Sequence, residues 1–291
     1  MELLAINWNV DPILIHIGSF GLRWYSLLFV SGFVIGYFIF RKFFRREGIP
    51  EKLLDPLLYT LLIGTIVGAR LGHCLFYQPD YYLGSWHGFF EIFMPWKGGL
   101  ASHGGAIALL LAMWWFACHY GKKNDFDFLW IMDHLCIAVA LAGCMIRLGN
   151  LFNSEIYGDV TSLPWGFVFQ RRGEIEPKHP TQLYEALSYL VLFVVMMLLY
   201  NKKLEKMYRG EFFSIFLIGC FGMRFLIEFI KEPQVGFEEA MVLNMGQLLS
   251  IPFVLAGVVI LIFAFKKKIP AAAVHPQKEK AEPTHYARSL Q

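Results

Sequence analysis

Charge is scarce in this chain of 291 residues. Asp, Glu, Lys and Arg make up 17% and hydrophobic residues 56%, where a soluble domain has about 25% and about 45–50%. That deficit points away from a soluble enzyme and toward an integral membrane protein. No H-E-x-x-H run is present, which disfavours a metalloprotease, and no G-x-S-x-G, which disfavours an intramembrane serine protease. The five cysteines, Cys74, Cys118, Cys136, Cys144 and Cys220, form no C-x-x-C pair. All fall in apolar segments, so neither a disulfide framework nor a zinc site is expected, and they read as small buried apolar residues. The opening MELLAINWNVDP lacks a basic n-region, and no small-residue cleavage site follows the first apolar run. The first span is therefore expected to stay in the mature protein.

What the chain does have is long apolar runs. A helix crossing a bilayer needs about 17–25 mostly apolar residues. Seven segments qualify, over 20–41, 56–77, 100–120, 128–147, 183–201, 211–230 and 247–266. The expected fold class is an all-α integral membrane protein with seven transmembrane helices.

Lysine and arginine set the expected orientation. The loops RKFFRREGIPEK and KKLEKMYR, the Lys122-Lys123 loop and the tail beginning KKK hold 17 of the 26 basic residues. The alternate loops hold only Lys97, then Arg171, Arg172 and Lys178, then Lys231. Every second loop is basic, so the N-terminus should face outside and the C-terminus inside. Residues 1–19 then form an outer N-terminal segment, 20–266 a seven-helix domain, and about 148–182 an outer segment within it. The tail, 267–291, rich in Pro, Ala, Lys and Glu toward its end, is expected to be disordered on the inner side.

Arg70, Arg147 and Arg224 are not topology signals, because they lie in or at the edge of apolar runs. Charge there is costly, faces a bundle interior or a watery cavity, and marks function by default. Three polar clusters accompany them. GGLASHGGA, residues 98–106, sets His103 between glycine pairs. Its glycines permit close approach of a lipid headgroup or of another helix, and His103 can exchange a proton near neutral pH. In GCMIRLGNLFNSEIYG, residues 143–158, Arg147, Asn150 and Asn153 recur every three residues, with Glu155 and Gly158 beyond. This is either a binding face or a helix end anchored at headgroups. In GMRFLIEFIKEP, residues 222–233, Arg224 and Glu228 are four apart and able to pair. That pair either locks helices together or leaves Arg224 oriented for a ligand. Arg70 and His73 lie toward the outside in GARLGHCLFY. In KHPTQLYEAL, Thr181 and Glu185 read as helix caps. Asp133 and His134, nearer the inside, read as structural. The embedded basic groups converge on the outer half of the membrane, and the planar arginine fork suits a phosphate headgroup. The residue pattern alone reaches an anionic lipid. A lipid or anion transporter and a purely structural protein remain as rivals, though no internal repeat is evident and the polar groups cluster on one side.

The motifs GGLASHGGA, RLGNLFNSEIYG, HPTQLYEAL, MRFLIEF and MGQLLSIP, with LRWYSLLFVSGF in the first span, resemble in order those of bacterial prolipoprotein diacylglyceryl transferases. The resemblance runs from about residue 11 to 266. It implies an enzyme of the bacterial inner membrane, multi-pass, with a periplasmic N-terminus, a cytoplasmic C-terminus and an active site toward the periplasm. Such an enzyme transfers the diacylglyceryl group of phosphatidylglycerol to the lipobox cysteine of a prolipoprotein signal peptide. The products are a thioether and glycerol 1-phosphate. Its expected partners are phosphatidylglycerol, prolipoproteins and membrane lipids, without nucleic acid, metal or organic cofactor. By resemblance, Arg147 binds phosphatidylglycerol, Asn150, Glu155 and Gly158 are its signature neighbours, and His103 is the functional histidine. Arg224 is a second essential arginine, Glu228 its neighbour, and Tyr25 an important tyrosine. Asn153 joins these as a candidate headgroup contact, and His103, Arg147 and Arg224 are the expected catalytic set. One departure stands out. Some members carry a tyrosine four residues before the second arginine, where this chain has Cys220 in GCFGMR.

Overall fold

The computed structural model describes residues 5–18, 20–99, 101–233 and 241–273. Among the described residues, seven helices are long and apolar enough to cross a membrane. The major helices are α1 (Trp24–Glu47), α2 (Leu54–Phe76), α5 (Ser102–Phe116), α7 (Phe128–Phe152), α8 (Thr181–Lys203), α9 (Glu211–Ile227) and α10 (Met245–Lys267). Short helices α3 (Pro79–Leu83) and α4 (Trp86–Glu91) lie between α2 and α5. Helix α6 (Lys122–Asn124) follows α5 through a π-turn over Ala117–Gly121. Thus the third span reaches Asn124.

The hydrophobic runs locate all seven spans but misplace some ends. The first helix begins at Trp24 rather than residue 20, because β3 (Phe20–Arg23) pairs antiparallel with β2 (Ile13–Ile17). A second small sheet joins β1 (Ile6–Trp8) in parallel to β4 (Phe167–Phe169). Trp8 anchors it by donating its indole N–H to the Leu151 carbonyl at 3.0 Å. Parallel pairing across so long a separation leaves no local sequence signal. The fold is thus not all-α: the segments expected to lie outside the membrane are partly sheet.

Helix α7 is the hub, with 67% of its most apolar window buried, against 17–33% for the other spans. It packs on α1, α8 and α9, while α2 pairs with α5 and α9 with α10. The α2–α5 pair is close because glycines face small residues. A Cβ on Gly68 would stand 2.1 Å from the Ala108 Cβ, and one on Gly104 would stand 2.3 Å from the Gly68 carbonyl oxygen. Small faces of this kind let membrane helices pack by backbone approach. Gly104 of the histidine motif is therefore a packing residue.

At the end of the bundle opposite Arg147, Asp133 accepts the amides of Gly210 at 2.6 Å and Phe213 at 2.8 Å, capping α9. His134 pairs with Glu47 at 2.6 Å. The same carboxylate accepts from Trp130 at 2.7 Å, Tyr200 at 2.9 Å and the Ala273 amide at 2.8 Å. Asp133 and His134 are structural, as expected. The chain does not leave the bundle at Lys267. Residues 268–273 fold back, Ala271 donating to the Met207 carbonyl at 2.8 Å, and Ala271 is fully buried. The expected disorder from 274 onward lies outside the described residues. Cys74, Cys136 and Cys144 are buried, whereas Cys118 is exposed and Cys220 half-buried.

Candidate active site

Arg147 sits in the last turns of α7. Its Nε lies 2.5 Å from Glu185 Oε2 on α8. Neither Glu185 oxygen accepts a well-directed hydrogen bond, so the attraction is charge against charge, between a carboxylate fully buried and a guanidinium 13% exposed. Glu185 is thus no helix cap. It also faces Lys231 at 3.6 Å, and Lys231 in turn meets Glu228 at 3.2 Å. Two cations and two anions alternate in a buried row.

Glu228 therefore pairs with Lys231 rather than with Arg224, contrary to the four-residue spacing. Helix α9 stops at Ile227 and residues 228–230 form a 3₁₀ turn. Side chains three apart eclipse in that geometry, which brings Lys231 over Glu228. Gly246 makes room for the carboxylate, since a Cβ there would lie 2.4 Å from Glu228 Cδ. Arg224 is half-buried, and among the described residues its guanidinium has no hydrogen bond or ion pair.

The signature stretch folds as a polar hook. Arg147 Nη1 donates to Asn150 Oδ1 at 3.3 Å. Asn150 and Asn153 both donate to Glu155 Oε1, at 2.8 and 3.1 Å. Ser154 and Ile156 take φ of 52° and 62°, unfavourable for any L-residue and most of all for a β-branched one. The first turn of α8 and the turn at Arg172 hold them there. Thr181 donates to the Ile156 carbonyl at 2.8 Å and Gln182 to the Glu155 carbonyl at 2.7 Å. Arg172 donates to the Ser154 carbonyl at 2.8 Å. Thr181, expected as a cap, is a clamp on this hook. Gly158 closes it: a Cβ there would lie 2.2 Å from the Ile230 carbonyl oxygen and 2.7 Å from Thr181 Cγ2. Tyr25 of α1 packs on Gly149, where a Cβ would meet its Cδ2 at 2.7 Å. The structure thus joins Arg147, Asn150, Asn153 and Glu155 directly, with Tyr25 and Gly158 at the edges.

Farther out, Tyr157 donates to Glu174 at 2.7 Å. Lys178 pairs with Glu174 at 3.6 Å and with Glu232. Burial, then the Glu174 carboxylate, pushes the Tyr157 phenol up to about 12. Burial alone would lower Lys178, but Glu232 and Glu174 outweigh it and raise the ammonium above its usual value.

Two expected groups stand apart. Arg70 is buried and spends its fork on carbonyls, those of Ile92 at 3.1 Å, Gly98 at 2.5 Å, Gly99 at 3.3 Å and Glu91 at 2.5 Å. It fastens the α3–α4 segment to α2 and is no ligand-binding arginine. Gly98 and Gly99 turn there with φ of 88° and 73°. His103 is exposed at the start of α5, and among the described residues no hydrogen bond or ion pair joins it to Arg147 or Arg224. Sequence reading missed Glu185 and Lys231 as site residues. Their buried charge was a signal in the same sense as Arg147, but both lay beside loops and read as caps or loop charges.

An apolar cavity of about 250 Å³ opens among α1, α2, α5 and α7. Phe29, Gly32, Gly36, Leu61, Leu109 and Ile146 line it, Ile146 being the immediate neighbour of Arg147. Seven long apolar helices, with a buried row of charges at one end of α7, define a multi-pass membrane protein.

The comparisons sharpen that class. The family model for prolipoprotein diacylglyceryl transferase matches residues 12–263. A protein of Tolumonas auensis named phosphatidylglycerol–prolipoprotein diacylglyceryl transferase is 47% identical over 261 residues, covering 90% of this chain and 98% of that one. Relatives of the same name from Bacteroides fragilis and Porphyromonas gingivalis are 44% and 45% identical over 278 residues. They cover 91% of this chain, and 98% and 96% of their own lengths. The chain belongs to the prolipoprotein diacylglyceryl transferase family, and is a transferase.

Proposed function

We propose that this enzyme moves the diacylglyceryl group of phosphatidylglycerol onto the lipobox cysteine of a prolipoprotein, at the periplasmic side of the bacterial inner membrane. The observation that carries the site reading is the placement of Arg147. It is oriented by Glu185 and Asn150, on the helix whose Gly143 and Ile146 line the apolar cavity. The acyl chains lie in that cavity, and the phosphate meets Arg147 and Arg224. Asn150, Asn153 and Glu155 shape the headgroup pocket, with Tyr25 and Gly158 setting its walls and Glu228 its far charge. The basic loops support an N-terminus outside and a C-terminus in the cytoplasm.

The chemistry is displacement at a glycerol carbon. The lipobox thiol loses its proton, its sulfur forms a C–S bond, and the C–O bond to phosphate breaks. The bonding pair leaves on the phosphate oxygen, yielding glycerol 1-phosphate. A free thiol has a pKa of about 8.5, so a base or a positive field is needed. His103, exposed at the start of α5, either accepts that proton or organises the headgroup. A general base contributes about 10²–10⁴-fold. The two arginines stabilise the departing phosphate as a fixed electrostatic clamp.

The test uses purified enzyme, labelled phosphatidylglycerol and a lipobox peptide. Label reaches the peptide, and replacing the peptide's cysteine by serine abolishes transfer. Arg147→Ala removes turnover while leaving membrane insertion intact, and near-normal turnover there overturns the clamp. His103→Gln at full rate removes the base role.

A further inference from the structure

Three successive carbonyls of the hook each accept from a side chain that comes from outside it. Arg172 donates to Ser154 at 2.8 Å, Gln182 to Glu155 at 2.7 Å and Thr181 to Ile156 at 2.8 Å. Ser154 and Ile156 carry the positive φ angles, so Arg172 and Thr181 hold the strained backbone. Gln182 holds the residue between them, and that residue is the one whose carboxylate gathers the two asparagines.

The contact continues toward Arg147. Glu155 Oε1 accepts from Asn150 at 2.8 Å and from Asn153 at 3.1 Å. Asn150 in turn offers Oδ1 to Arg147 Nη1 at 3.3 Å. An asparagine amide is planar, so fixing its nitrogen also aims its oxygen. The main chain of Glu155 is held on both sides, its N–H donating to the Asn150 carbonyl at 3.1 Å and its carbonyl accepting from Gln182. Gln182 is fully buried, where a hydrogen bond has no solvent to compete with it.

The same helix supplies the other grip on Arg147. Glu185 follows Gln182 by three residues on α8, which puts both on one face. Its Oε2 lies 2.5 Å from Arg147 Nε. Helix α8 thus reaches the guanidinium twice, directly at Nε and through Glu155 and Asn150 at Nη1. One contact at Nε leaves the plane free to turn, and a second at Nη1 sets it.

We propose that Gln182 is a positioning residue for the transfer reaction: by holding the Glu155 carbonyl it sets Asn150, and through Asn150 the plane in which Arg147 meets the phosphate. This rests on the reading of Arg147 as the phosphate-binding arginine.

The experiment uses full chains in phosphatidylcholine nanodiscs doped with fluorescent phosphatidylglycerol. It compares wild type, Gln182→Met, Asn150→Ala, the double variant and Arg147→Ala for lipid affinity, transfer kinetics and unfolding midpoint. Methionine has nearly the length of glutamine and no donor. Gln182→Met should weaken phosphatidylglycerol binding about tenfold, the effect of one buried hydrogen bond, with KM for a lipobox peptide unchanged. In the Asn150→Ala background the link to Arg147 is already cut, so the same substitution should cost less than about twofold in affinity. The unfolding midpoint should fall equally in both backgrounds. Wild-type affinity in Gln182→Met, or the same loss of affinity in both backgrounds, overturns the role of Gln182 and, with Arg147→Ala binding poorly, leaves the phosphate reading standing. A Gln182→Met chain that no longer folds also overturns it. Wild-type affinity in Arg147→Ala sinks the phosphate reading itself.

Discussion

Replacing Glu185 by glutamine tests whether the buried charge row organises the site. Glu185 is fully buried, Lys231 is 1% exposed and Arg147 is 13% exposed. In the wild type, Arg147 and Lys231 are balanced by Glu185 and Glu228. Glutamine keeps the shape and leaves one uncompensated positive charge among those side chains. Removing one partner of a buried pair costs about 3–5 kcal/mol, chiefly because the other charge stays buried. Glu185→Gln should therefore lose about that much in unfolding free energy, measured by denaturant titration in mixed micelles. A double-mutant cycle makes the argument strict. Adding Arg147→Met restores neutrality and leaves the Lys231–Glu228 pair at 3.2 Å intact. The double variant should be more stable than the sum of the single losses by about 2–3 kcal/mol, while remaining inactive. Additive losses, or a Glu185→Gln change within about 1 kcal/mol of wild type, would refute a coupled row.

Gly158→Ala forces a Cβ to within 2.2 Å of the Ile230 carbonyl oxygen. It should part the hook from the 228–231 turn and abolish turnover more than it lowers the unfolding midpoint, read side by side in transfer and melting assays. Arg70→Lys cannot reproduce four carbonyl contacts with one ammonium group. Faster proteolysis between residues 77 and 99 is expected, with α2 itself still protected. The Tyr157 phenol is raised in the fold to about 12 and Lys178 is raised as well. A group raised in the folded state contributes stability below its unfolded value, near 10 for both, and that contribution is lost as pH climbs through the folded value. Unfolding midpoints should drop between about pH 10 and 12, and Tyr157→Phe should flatten the curve.

Much of this protein was legible along the chain because a bilayer imposes a one-dimensional rule: each span must be long and apolar in sequence. The seven runs and the embedded charge at Arg147, Arg224 and Asp133 follow from that rule directly. So does the hook of Arg147, Asn150, Asn153 and Glu155, whose members lie within nine residues and bond locally. Pairings over long separation were not legible. β1 finds β4 across more than 150 residues, and no local pattern encodes that meeting. Glu185 and Lys231 looked like loop-side charges until α8 and the turn after α9 were brought against α7. Arg70 looked equivalent to Arg147, yet one is consumed by carbonyls and the other faces a buried carboxylate. The sequence by itself determined which segments cross the membrane and which residues bring charge into them. Only the tertiary structure decided which charge meets which, because a buried ion is defined by its nearest neighbours, and those neighbours come from different helices.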